Sequence, residues 1–188
     1  MTNAINAAAD FAFINGDNPD RTIENRFNTI SSFIKNTAVC SVTSDVITIP
    51  VAQGNTDTEV LAGGGTFIPA DSIITSIGIL FIDLLDGGAN AVFKVGFGPS
   101  TGDETIVAQT TLLDNVGSDI TANQFASTSN GLIPGTGGAA MKIATGAIVF
   151  AESSAQSLFL RTNTTTNDLG ATCKIKVVAE FIPYTTVS

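Results

Sequence analysis

The sequence predicts an all-β protein, an antiparallel β-sandwich or jelly roll, preceded by an N-terminal arm and one short helix. Three observations lead there. The chain from Thr37 onward breaks into eight to ten short runs rich in β-branched and aromatic residues, with turn signals between them. Two of those runs alternate cleanly between apolar and mixed positions, residues 91–98 and 171–182. Such alternation is the mark of a strand with one buried face. Only one stretch, 18–35, carries helical periodicity. The expected division is an arm and helix over residues 1–36 and a sandwich domain over residues 37–188.

Residues 1–16 are small and weakly apolar, and lead to Phe11, Ala12, Phe13 and Ile14. Ile5, Phe11, Phe13 and Ile14 are costly to leave in water, so they need a surface to cover them. That surface is either a partner protein or the chain's own sandwich, and the residues favour neither. In the helical stretch Asn18 suits the N-cap and Pro19 the first helical position. Ile23, Phe27, Ile30 and Ile34 then form one apolar stripe.

The β region opens with short runs at 37–42 and 45–51, the second ending at Pro50, which has no N–H and marks a strand end or edge. Gln53 to Asp57 reads as a turn, Thr58 to Leu61 as a short strand, and Gly63-Gly64-Gly65 as a break. The organising stretch follows. Ile73 to Leu85 is apolar on both faces, and its β-branched opening and Gly78 favour strand over buried helix. Asp86-Gly87-Gly88-Ala89-Asn90 supplies a turn, and Ala91, Phe93, Val95 and Phe97 face one way beyond it. Run, turn and run together predict a β-hairpin. Glu104 to Leu113 resumes strand character, and residues 114–138 form a long, weakly patterned segment. Runs at 139–144, 147–151 and 157–163 precede the last strand. There Ala171, Cys173, Ile175, Val177, Ala179 and Phe181 share one face.

Composition narrows the function. The 188 residues include 17 acidic and 8 basic side chains, a net charge of −9 without clustered Lys or Arg, which argues against a nucleic-acid partner. There is no histidine, so a Ser-His-Asp or Cys-His nucleophile is excluded, and the two cysteines lack companions for a zinc site. Cys40 and Cys173 are compatible with a disulfide or with two free thiols. The carboxylate neighbours Asp83 and Asp86, and Asp103 and Glu104, sit at turns, where acidic groups are solvated. Calcium at Asp83, Asp86 and Asn90 matches no EF-hand spacing. No catalytic residue, cofactor or metal is therefore expected. The start of the chain lacks the features of a secretory signal, and the longest apolar run is shorter than the ~20 residues that span a bilayer. No membrane partner is expected.

Thr66-Phe67-Ile68-Pro69-Ala70 at a strand start, Asp86-Gly87-Gly88, Phe93-Lys94-Val95-Gly96 and Val178-Ala179-Glu180-Phe181-Ile182 form a pattern in that order. It resembles a group of small β-sandwich virion proteins of tailed bacteriophages, of the head-decoration and capsid-associated type. Asp71 stands where that group has glycine, and the likeness covers about residues 66–98 and 171–183. The resemblance implies a structural role in the virion, made in a host cytoplasm, and carries no catalytic residue. The expected partners are a major capsid protein or another virion protein, contacted through Ile5, Phe11, Phe13 and Ile14, and further copies of the chain, with three as the expected number. The other reading is a tail- or fibre-associated receptor or carbohydrate-binding module. Sugar stacking wants an exposed aromatic, yet the chain has no tryptophan and one tyrosine, Tyr184.

Overall fold

A computed structural model describes residues 39–114, 119–128, 150–151 and 154–183. Within it, Val39–Ile182 form one compact unit. The predicted arm and helix lie outside the described residues. Eleven strands are found among the described residues: β1 (Cys40–Thr43), β2 (Ile47–Ile49), β3 (Gly54–Ala62), β4 (Gly65–Thr66), β5 (Ser72–Phe81), β6 (Val92–Gly98), β7 (Val107–Leu113), β8 (Phe125–Ser127), β9 (Phe150–Ala151), β10 (Leu158–Thr165) and β11 (Cys173–Pro183). They form two antiparallel sheets. The first runs β1-β11-β5-β8, with β2 also on β11 and β9 also on β5, and the second runs β4-β3-β10-β6-β7. The fold class is as the sequence predicted.

Alternation builds the core. In β11, Cys173, Ile175, Val177 and Ala179 are fully buried while Lys174 and Glu180 are exposed. β5 neighbours β11 in the sheet. Ile82 N–H donates to Lys174 O at 2.9 Å, and counting antiparallel from that bond brings Ile77, Ile79 and Phe81 beside Ala179, Val177 and Ile175. In the second sheet Phe93, Val95 and Phe97 lie opposite Thr164, Thr162 and Leu160. The apolar residues among these belong to one hydrophobic cluster that draws on both sheets, and Thr162 and Thr164 are buried beside it. Each large apolar side chain buried there contributes about 1.5–3 kcal/mol of transfer free energy.

The predicted hairpin is not formed. β5 belongs to the first sheet and β6 to the second, so the segment between them crosses from one sheet to the other. Asp83 N–H bonds Lys174 O at 3.2 Å, and Leu85 bridges Ile120 through two backbone bonds of 2.8 and 3.1 Å. Leu85 and Ala91 are buried beneath the crossing. The turn residues do reverse the chain, but a Gly-rich turn serves an inter-sheet crossing as well as a hairpin. Partner choice is settled by strands far away in sequence.

Two further readings are corrected. Gln53 to Asp57 is not a turn, because β3 begins at Gly54 and pairs with β10 from Gly54↔Thr164 to Val60↔Leu158. The weakly patterned segment after Asp114 contains β8, which pairs Gly78↔Ser127 to Leu80↔Phe125. The break at Gly63-Gly64 is a two-residue β-turn: both φ values are positive (59° and 75°), and Ala62 pairs with Gly65 across it. Asp45 clamps this turn by accepting the N–H groups of Gly63 and Gly64 at 3.0 and 2.9 Å.

Cys40 and Cys173 do not form a disulfide with each other. Cys40 pairs with Phe181, eight residues along β11 from Cys173. At ~3.3 Å per residue that separation is about 26 Å, far beyond disulfide reach.

Candidate interaction surfaces

The attachment residues expected from sequence, Ile5, Phe11, Phe13 and Ile14, lie outside the described residues. The chemistry candidates are placed, and most of them build turns. Asp86 Oδ1 accepts Gly88 N–H at 2.7 Å, while its backbone carbonyl accepts Gly170 N–H at 3.0 Å. Asp103 Oδ1 accepts Thr105 N–H at 2.8 Å. Two acids not singled out from sequence join Asp86 at the same end of the sandwich. Asp119 Oδ1 accepts Gly87 N–H, and Asp168 Oδ1 accepts Gln53 N–H, each at 2.9 Å. The Asn167 side chain also donates to Ala89 O across this end. Asn-Asp-Leu-Gly at 167–170 is turn-forming composition and was the available signal. Among the described residues no group of three His, Cys, Asp or Glu is arranged to hold a metal ion. Nor is any described helix long and apolar enough to cross a membrane.

Glu104 has a different role. It pairs with Arg161 Nε at 3.1 Å, and Arg161 reaches Asp57 on its other side at 3.5 Å. Gln109 Nε2 donates to the same Glu104 carboxylate at 3.1 Å. The triad lies on the outer face of the second sheet, since Arg161 sits between Asp57 and Gly96 in register. It is made possible by missing side chains. A Cβ on Gly96 would stand 2.9 Å from Glu104 Cγ, and one on Gly98 would meet the Asp103 backbone. The 99–106 loop thus folds back onto its own strand, where Ile106 N–H bonds Phe97 O at 3.0 Å.

Beside that loop is an open cleft of about 460 Å³, lined by Ile68, Pro99, Ile106, Ser154, Gln156 and Ser157 among others. Its polar groups serve one another: Gln156 Nε2 donates to Ser154 O at 3.1 Å and Ser157 Oγ to Glu59 at 2.8 Å. None of its described lining residues is aromatic. Cys173 is buried against the core. Burial first, and the nearby Asp83 carboxylate second, push its thiol up to about 11, which keeps it protonated and unreactive at neutral pH.

No family model matches the chain. No curated protein matches it either. Among solved structures, a chain described as the cyanophage Pam1 capsid asymmetric unit is similar at 12% identity and a TM-score of 0.43. That alignment covers 78% of this chain and 86% of the other.

Proposed function

We propose that this chain is a structural protein of a bacteriophage virion, a decoration protein that sits on the capsid shell and associates with its own copies. Its partner is the major capsid protein, and it has no catalytic role. The observation that supports the reading is where the residues of the virion-protein resemblance fall. Asp86-Gly87-Gly88 turns the crossing between the sheets, Phe93 and Val95 fill the core, and Val178 to Ile182 lie within the central strand β11. The likeness therefore rests on the residues that build the sandwich. Asp86, Asp103 and Glu104 are engaged in turns and one ion triad, which agrees with a non-enzymatic role.

In this reading Ile5, Phe11, Phe13 and Ile14 attach the protein to the shell, each contributing about 1.5–3 kcal/mol when covered. Copies held together multiply that attachment through effective concentration. The test compares full-length protein with a chain starting at Asp17, for melting and for binding to particles stripped of this protein. The expected result is a nearly unchanged melt with binding lost. Undiminished binding by the shorter chain, or absence of the protein from purified particles by mass analysis, overturns the reading.

A further inference from the structure

Four cationic side chains occur among the described residues: Lys94, Arg161, Lys174 and Lys176. Arg161 makes both ion pairs found there, and Lys174 and Lys176 are in neither. Those two lysines lie two residues apart on β11, on the face opposite the buried Cys173, Ile175 and Val177. The register of the first sheet shows what surrounds them. Lys174 lies between Thr48 of β2 and Ile82. Lys176 is two residues further along, beside Leu80 of β5, and Leu80 in turn pairs with Phe125 of β8. Val178 lies between Thr43 and Gly78, and the Phe125 ring covers the space a Gly78 side chain would fill. Phe125 keeps 38% of its surface exposed. The outer face of the first sheet is thus a strip of Leu80, Phe125 and Val178, with Lys174 and Lys176 at one end and Glu180 at the other, the two lysines having no carboxylate partner among the described residues.

A complementary surface occurs on the same chain. Asp86, Asp119 and Asp168 converge on the Gly87-Gly88 turn and its neighbours, with Asp119 and Asp168 exposed. Each uses one carboxylate oxygen on a backbone N–H, and no described cation pairs with any of them.

We propose that these two surfaces of different copies meet: the Lys174–Lys176 face of one chain docks the Asp119–Asp168 end of another. The occupant is a second copy because the chain itself carries both halves of the match, while its net charge of −9 disfavours an anionic polymer on the lysine face. The contact joins two different patches, so it is heterologous, and it closes into a ring where the rotation from copy to copy completes a turn. The inference rests on the reading of a self-associating virion protein and assigns the surfaces through which self-association occurs.

The experiment measures self-association of the full chain by sedimentation velocity at low and high salt. Two variants are compared: Lys174→Glu with Lys176→Glu, and Asp119→Asn with Asp168→Asn, the asparagines keeping the oxygen that accepts each backbone N–H. Wild-type protein should associate, less so at high salt. Each variant alone should associate at least tenfold more weakly with an unchanged melt. Mixed together, the variants should form a one-to-one pair and stop there, since each supplies the surface the other lacks. A wild type that stays monomeric, a lysine variant that associates like wild type, or a mixture that forms no pair overturns the proposal. Binding to stripped particles is scored separately, so a failure there counts against the decoration reading and not against this contact.

Discussion

Gly98→Ala is the substitution whose effect can be worked most directly from the structure. The residue lies in β6 opposite Phe159, and its outer face is occupied by the returning 99–106 loop. An added methyl would fall within the carbonyl group of Asp103 and 2.8 Å from its Cβ. The obstacle is mainly backbone, so no side-chain rotation relieves it. Either β6 or the loop must move. Overpacking of this kind costs about 1–3 kcal/mol. Lifting the loop also endangers the Ile106–Phe97 backbone bond, worth about 1 kcal/mol, and the Glu104–Arg161 pair. The expected loss is therefore about 2–4 kcal/mol. For a chain of this size that lowers the melting temperature by roughly 4–16 °C. Urea titration with unchanged m-value is the assay. Gly65→Ala is the internal control, because its nearest neighbour would be Ala62 O at 3.6 Å, an ordinary contact. The control should stay within about 0.5 kcal/mol of wild type. A Gly98→Ala protein as stable as the control would show that the loop does not lie on β6.

Other outcomes follow from the core and its thiol. Val177→Asp should abolish soluble folding, with a loss above about 4 kcal/mol, because Val177 is fully buried and no cation lies beside it in the register; soluble expression with a native-like melt would contradict the assigned face. Cys173 should resist thiol reagents in native protein and react only after denaturation, which mass spectrometry of labelled peptides reads directly. Its thiol titrates higher in the folded state, at about 11 against an ordinary 9.0, so its contribution is complete below pH 9 and is lost as pH rises through 11. The loss is about 2–3 kcal/mol. Cys173→Ser should flatten that alkaline fall, and an equal fall in both proteins would exclude the thiol as its source.

What was legible in the sequence was whatever is decided within one strand. β11 announces its buried face in every second residue, and Ala91, Phe93, Val95 and Phe97 do the same in β6. β3 was cut short because Gly-Asn-Thr-Asp at 54–57 has the composition of a turn, yet it is held as a strand by β10, and β3 buries only Val60 fully. The false hairpin failed for a related reason. Local residues specify that the chain turns after Leu85, but which strand β5 pairs with depends on β11, some ninety residues later. The Arg161 triad is assembled from two strands and a loop, and the lysine strip from three strands, so no window of sequence contains either. Leu80, Phe125 and Lys176 become neighbours only through register.

The edges of the two sheets bear on where copies can meet. An exposed strand edge is a template for pairing with another chain, and stable proteins blunt it. Most outer strands here are short: four residues in β1, three in β2 and β8, two in β4 and β9. The longer β7 has seven residues, but its pairing with β6 is interrupted between Phe93 and Lys94 and again between Val95 and Phe97. Such bulges bend a strand and break the regular spacing of its outward N–H and C=O groups. On β3 the carboxylates of Asp57 and Glu59 are engaged by Arg161 and Ser157 on the β10 side. Continuous sheet formation between copies is therefore poorly supported by these strands. Sheet faces and loop ends remain, and of these the outer face of the first sheet joins an apolar strip to unpaired lysines. Self-association should accordingly respond to Lys174 and Lys176 and be indifferent to proline placed at Ala108, an exposed β7 position opposite the bulge. A proline there that abolished association while leaving the melt intact would move the contact from the face to the edge.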